Sequence, residues 1–233
     1  MSEAPKPADP RTVKLKMVRL SFTDSLKDKK ATVENGEPKH SCNLIIVQTA
    51  GDDPLSKKAA ELYPANLAAI QSAIKAACKE EFGKEDTWKE IQEDNPKRLC
   101  FRKGERFKNN DGEVYKGYAG NWGISASGPK GGQHRPLLLD RYKRQVEEKD
   151  ILDVMAGGFY ADVVISFFGT DKGGKGVFAS IEAIRSRQEG ERLGGGPRAT
   201  ADDFDDLDDD DSFGGTPAAG SSSNADSDFD GIG

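Results

Sequence analysis

Between Lys97 and Arg144 the chain carries 12 basic residues against four acidic ones, a local charge of +8, and six aromatic rings run through the same window. The rings are Phe101, Phe107, Tyr115, Tyr118, Trp122 and Tyr142. Cationic side chains neutralise backbone phosphates, which makes affinity fall with salt, and flat rings accept unpaired bases at about 1–3 kcal/mol per stacked base. Interleaved, they are the two ingredients of sequence-tolerant single-strand binding. The stacking candidates are Trp122, Tyr118, Tyr115 and Phe107. The phosphate candidates are Arg102, Lys103, Arg106, Lys108, Lys116, Arg135, Arg141, Lys143 and Arg144, with Lys14, Lys16 and Arg19 extending the surface from the first strand. A single aromatic on a half-buried strand more often belongs to the core, so the cluster carries the reading and its members individually do not.

Other chemistries find little support. Gly169 to Gly176 nearly matches a phosphate-binding loop, but Gly176 stands where a Mg²⁺-binding hydroxyl belongs and a strand, not a helix, follows. It reads as a hairpin turn. His40 and His134 lie in polar, loop-like surroundings, and no nucleophile–base or H-E-x-x-H pattern accompanies them, so no catalytic residue and no enzymatic activity is expected. Cys42, Cys78 and Cys100 are odd in number, widely spaced and without a C-x-x-C pair, which suits reduced, buried thiols rather than a metal centre or disulfides. No metal and no cofactor is expected.

Charge divides the chain. Residues 191–233 hold 12 acidic and two basic residues, while residues 1–190 carry a net +4 inside an overall −6. With 35% hydrophobic and 32% charged residues, the sequence is too polar for one core using all of it. The expected plan is a flexible segment 1–10, a folded domain 11–190 with a helical insertion at about 54–94, and a disordered acidic tail 191–233. Within that tail Phe204, Phe213, Asp228, Phe229, Asp230 and Ile232 space apolar groups among acids, a pattern suited to weak docking on basic grooves with apolar pockets. No run of about 18 apolar residues exists and the polar Met1–Pro10 stretch lacks a signal core, so a cytoplasmic protein without membrane contact is expected.

The elements that must position the cations are mostly strands. Val13 to Phe22 alternates apolar and polar residues, then slips phase at Met17 and Val18, which calls for a bulge or bend. A long first strand bent midway serves both halves of a five-stranded OB-type barrel. Ser41–Val47 follows an Asn35-Gly36 turn. Leu67, Ile70, Ile74, Ala77 and Cys78 place one apolar face on a helix over Ala65–Phe82, covering a barrel end, and a shorter helix is expected at Asp86–Glu93. Strands are expected at Leu99–Phe107, Glu113–Ala119 and Asn121–Ser127, and Phe159–Phe168 with Val177–Arg187 forms the clearest hairpin. The fold class is therefore mainly β with inserted helices.

Tyr118-Ala-Gly-Asn-Trp122, Phe159-Tyr-Ala-Asp-Val163, Lys175-Gly-Val-Phe178 and Glu189-Gly-Glu-Arg-Leu-Gly-Gly195, leading to Ala201-Asp-Asp-Phe204, occur in an order that resembles the acid-tailed single-stranded DNA-binding proteins of tailed phages. The resemblance covers roughly the last half of the chain. It implies an OB-fold body that coats single-stranded DNA during replication, recombination or repair. It also implies a tail that competes with DNA and recruits proteins such as a DNA polymerase, helicase-primase or nuclease. A homodimer is left open. The tail here ends Phe229-Asp-Gly-Ile-Gly233 rather than in an aromatic carboxylate, and the main helix lies between the second and third strands, unlike the simplest OB order. Two rival readings remain: an acidic-tailed interaction module or chaperone for basic proteins, and a DNA-processing nuclease.

Overall fold

Alternation of side chains between two faces writes the barrel into the chain. In β2 (Ser41–Ile46) Cys42, Leu44 and Ile46 are in the core and Ser41, Asn43 and Ile45 point the other way; in β4 (Trp122–Ser127) Ile124 and Ala126 alternate with Ser125 and Ser127. The computed structural model describes residues 9–31 and 36–194. Its seven strands are β1 (Thr12–Ser21), β2, β3 (Phe101–Lys103), β4, β5 (Leu137–Leu139), β6 (Tyr160–Thr170) and β7 (Gly176–Gln188), ordered β3-β4-β2-β1-β6-β7-β5. A parallel contact between β4 and β7 at Ser127 and Ser180 closes β1, β2, β4, β6 and β7 into a five-stranded OB-like barrel. Short β3 and β5 are added at its edges.

The expected phase slip in β1 is a bulge. Leu15 faces Val163 and Val18 faces Ala161, so one extra residue is accommodated, with Met17 at φ 51°. Three of its displaced backbone groups are taken up by side chains. Asn66 accepts from the Lys16 N–H (3.0 Å) and donates to the Lys16 carbonyl (2.8 Å), while the Asp162 carboxylate accepts from the Met17 N–H (3.2 Å).

Among the helices, α1 (Asp24–Lys27) is a single turn, α2 (Pro54–Glu61) starts on Asp53, whose side chain accepts from the Ser56 N–H, and α3 (Tyr63–Phe82) ends on Gly83 at φ 74°. Ile70, Ala73, Ile74, Ala77 and Cys78 of α3 enter the same core as the barrel strands, so α3 plugs one end; α4 (Thr87–Asp94) packs beside it through Ile91. All three cysteines are buried and free, and burial pushes the Cys42 and Cys100 thiols up to about 12 and Cys78 to about 11.

Several boundaries differ from expectation. Glu113–Ala119 is not a strand: only a single bridge, Lys108 with Val114, survives in a stretch turned by Gly112, Gly117 and Gly120 at positive φ. The strand expected over Leu99–Phe107 is cut to Phe101–Lys103 by a 3-10 turn at Gly104–Arg106. The body also continues past residue 190, since Arg19 donates to the Gly158 and Glu191 carbonyls and the Leu193 N–H donates to the Gly157 carbonyl. The Asn35 half of the expected turn, the first eight residues and the acidic segment from 195 on, with Phe204, Phe213, Asp228, Phe229, Asp230 and Ile232, lie outside the described residues.

Candidate nucleic-acid interface

On the outer face of the barrel, across the β4–β7 seam, lies a groove of about 780 Å³. Its floor is made of small side chains: Ser41 and Asn43 of β2, Ser125 and Ser127 of β4, Ser180 of β7. These are the outward members of the alternating strands, and their small size leaves the groove its depth. Each rim carries rings. On one side Phe22 (48% exposed) meets Tyr115 (37%) edge to face at 4.8 Å; on the other, Phe168 (41%) lies 6.1 Å from Phe178. Phe22 holds φ 52°, a conformation that a bulky residue rarely adopts, and the strain sits at the rim where an exposed ring is presented.

The lining cations are Lys30, Lys39, Arg102, Arg106 and Lys108, and the lining carboxylate, Asp24, is already paired with Lys30. Arg102 is the best organised. Its guanidinium lies over the Phe107 ring (4.6 Å to the centroid) and donates to Ser125 Oγ at 3.1 Å, while its buried Nε has no hydrogen-bond partner among the described residues. Desolvation by burial lowers its pKa from the ordinary value, which marks a guanidinium poorly served by water. A planar donor array held by stacking, with one hydroxyl acceptor and no carboxylate paired with it among the described residues, is suited to a phosphate oxygen.

The expected site residues separate into three groups. Arg102, Arg106, Lys108 and Tyr115 line the groove, as does one edge of Phe107. Tyr118 is fully buried and Phe107 is only 6% exposed; they stack on each other at 4.7 Å and pack on Ile45. Gly123 admits Phe107, since a Cβ there would lie 2.4 Å from its ring. As stacking platforms both are corrected: neither offers a free face, and they anchor the 104–121 excursion that carries Arg106, Lys108 and Tyr115. Trp122 is half-buried, stacked on Phe101 at 4.7 Å with its indole N–H donated to Gln48, and it faces a second cavity with Lys103.

The remaining predicted cations do not line the groove. Lys116 pairs with Glu191; Arg135 donates to the Lys27 carbonyl and to Glu148; Arg144 pairs with Asp140 in the turn after β5, where Arg141 and Lys143 are exposed. Arg19 is spent on backbone carbonyls, and Lys14 and Lys16 are exposed on β1 away from the groove lining. Conversely, Phe22, Phe168, Phe178, Lys30 and Lys39 were not singled out in the sequence. Phe168 and Phe178 were accessible to it, because each is the outward neighbour of a core residue in the clearest hairpin, beside Phe167 and Val177.

The near-match to a phosphate-binding loop is indeed the β6–β7 turn. Arg98 donates to the carbonyls of Lys172, Gly174 and Lys175 and so pins it from within. Among the described residues there is no cluster of metal-ligating side chains, and no helix is long and apolar enough to cross a membrane.

Residues 11–214 match the family model described as "Enterobacter phage Enc34, ssDNA-binding protein". The chain belongs to that family. It is also 30% identical over 197 residues to protein p50 of Acyrthosiphon pisum secondary endosymbiont phage 1, covering 84% of this chain and 93% of that one. Among solved structures, the single-stranded DNA-binding protein from bacteriophage Enc34 in complex with ssDNA aligns with a TM-score of 0.60 at 20% identity, over 81% of this chain and 96% of its own. A further structure of the single-stranded DNA-binding protein from bacteriophage Enc34 aligns with a TM-score of 0.57 at 21% identity, over 86% of this chain and 97% of its own. At these identities the structural likeness speaks for the fold.

Proposed function

We propose that this member of the family binds single-stranded DNA in the barrel groove, non-enzymatically and with little regard to sequence. The observation that carries the reading is a groove lined by exposed rings, five cations and a floor of small polar side chains. Phosphates would sit on Arg102, Arg106, Lys108, Lys30 and Lys39, and bases on Phe22, Tyr115, Phe168 and Phe178. Edge-reading amides are sparse there, Asn43 apart, so affinity comes from charge and stacking, which all bases share. Family membership supports the same reading. We further read the protein as a coat for transient single strands in phage replication, recombination or repair, acting in the host cytoplasm, with its acidic C-terminal segment engaging replication or recombination proteins.

The test is an anisotropy titration with oligo-dT and a matched duplex at a series of salt concentrations. For single strands, the slope of log affinity against log salt is about −0.7 per neutralised phosphate, so Arg102→Ala, Arg106→Ala and Lys108→Ala together flatten it by about 2. An unchanged slope, or equal affinity for the duplex, overturns the assignment.

A further inference from the structure

A second cavity, of about 320 Å³, lies on the other side of the β3 edge, between that strand and helices α3 and α4. It shares Arg102 and Arg106 with the main groove, so the two chambers meet at one ridge of positive charge. Its walls are unlike the groove's. Both tryptophans of the chain, Trp88 and Trp122, line it, and neither lines the groove. Phe101 covers one face of Trp122 at 4.7 Å, and the Lys89 ammonium lies 5.8 Å from the Trp88 ring centroid. Gln71 of α3 and Gln92 of α4 are exposed amides on the same wall, and among the described residues neither has a hydrogen-bond partner. Lys75 and Lys103 add two further cations, and no carboxylate is among the lining residues.

We propose that this cavity is a nucleotide pocket: a strand lying in the main groove crosses the Arg102–Arg106 ridge and places one nucleotide between the two indoles, its phosphate on the ridge. The inference rests on the single-strand reading of the groove. Three features of the cavity select a nucleotide. The cations are continuous with the groove, so a polyanion is led from one chamber to the next. Indole offers the largest stacking face of any side chain, and a stacked base needs one. The amides of Gln71 and Gln92, which both donate and accept, meet the polar edge of a base, where an aliphatic ligand would leave them unpartnered.

Because both tryptophans line this one cavity, intrinsic tryptophan emission reports on its occupancy and the groove is spectroscopically silent at excitation wavelengths that tyrosine does not absorb. The full chain is titrated with oligo-dT containing 5-iodouracil, following anisotropy and tryptophan emission together, then irradiated and the adducts mapped by mass spectrometry. The expected result is quenching that saturates with the anisotropy, and adducts on Trp88 or Trp122. Trp88→Ala should weaken binding about fivefold or more. Gln71→Ala with Gln92→Ala, both at exposed positions, should reduce the quenching while binding still saturates. Normal binding with unchanged emission and adducts confined to groove rings overturns the second pocket and leaves the groove reading intact. Loss of all oligonucleotide binding in the unmodified chain overturns the groove reading itself. Quenching by an acidic peptide but not by the oligonucleotide assigns the cavity to a protein partner and also overturns the proposal.

Discussion

Tyr118 and Phe22 are both aromatic, lie about one ring apart across a 6.5 Å contact, and serve opposite ends. Tyr118 is fully buried, and its hydroxyl lies near Ser21 and Asn43 without a well-formed hydrogen bond. Desolvation pushes its phenol up to about 12 from an ordinary value near 10, so the neutral form is favoured in the fold. The sign follows: its contribution is complete below pH 10 and is lost as pH rises towards 12, because only the unfolded chain ionises there. Tyr118→Phe should therefore leave neutral-pH stability within about 1 kcal/mol and shift the alkaline unfolding midpoint upward in a circular-dichroism pH titration. It should leave oligo-dT affinity nearly unchanged. Phe22→Ala should do the reverse, costing about 1–3 kcal/mol of binding as the loss of one stacking platform, with little change in urea midpoint. The window from 97 to 144 singled out Tyr118, whereas Phe22 lies outside it and was not weighed. Burial is decided by where a loop folds back, and nothing local to Tyr118 announces that Ile45 and Phe107 leave a seat for it.

At the scale of elements, what could be read from the sequence was what is periodic. The slip at Met17 and Val18 announced the bulge, the Ile70–Ile74–Cys78 spacing announced α3, and the alternation through Phe159–Phe168 announced β6, because each signal lies within a few residues of its consequence. Glu113–Ala119 misled because Val114, Tyr115 and Tyr118 are good strand formers whose backbone is turned by three glycines at positive φ and whose packing is on the barrel's outer face. β5 went unseen as three consecutive leucines without alternation. The bulge also shows how a helix and a strand become one unit, with Asn66 of α3 supplying both a donor and an acceptor to Lys16. Asn66→Ala leaves a backbone N–H and a carbonyl of a part-buried bulge without partners. It should cost about 1–3 kcal/mol in urea unfolding, with the slope of the transition unaltered. Asn66 lines neither the groove nor the second cavity, so saturated oligo-dT binding at low denaturant should persist; a stability loss below a few tenths of a kcal/mol would mean that water substitutes freely and the bulge does not depend on the helix.

At the scale of the whole molecule, charge is the organising quantity. The net −6 would by itself repel a polyanion, yet residues 1–190 carry +4 and five cations line the groove, while residues 191–233 carry −10. A tethered opposite charge acts at an effective concentration set by the length and reach of its linker, and under the competition reading the acidic segment would contend with other anions for the basic surface. Removal of Asp202–Gly233 deletes 11 carboxylates and leaves the body positive. Oligo-dT should then bind equally or more tightly, with the gain greatest at low salt and vanishing as screening lengths shrink to a few ångströms. Duplex affinity should rise by a larger factor, because a surface relieved of its competitor binds phosphate less selectively when rings contribute nothing to a paired strand. The acidic-module rival makes the opposite statement, that the segment is the active part and that its deletion abolishes binding to basic partners while leaving DNA unaffected. Anisotropy curves for the full and shortened chains, taken at two ionic strengths with both nucleic acids, separate the two: weaker single-strand binding after deletion would show that the carboxylates assist the groove, and would sink the competition account.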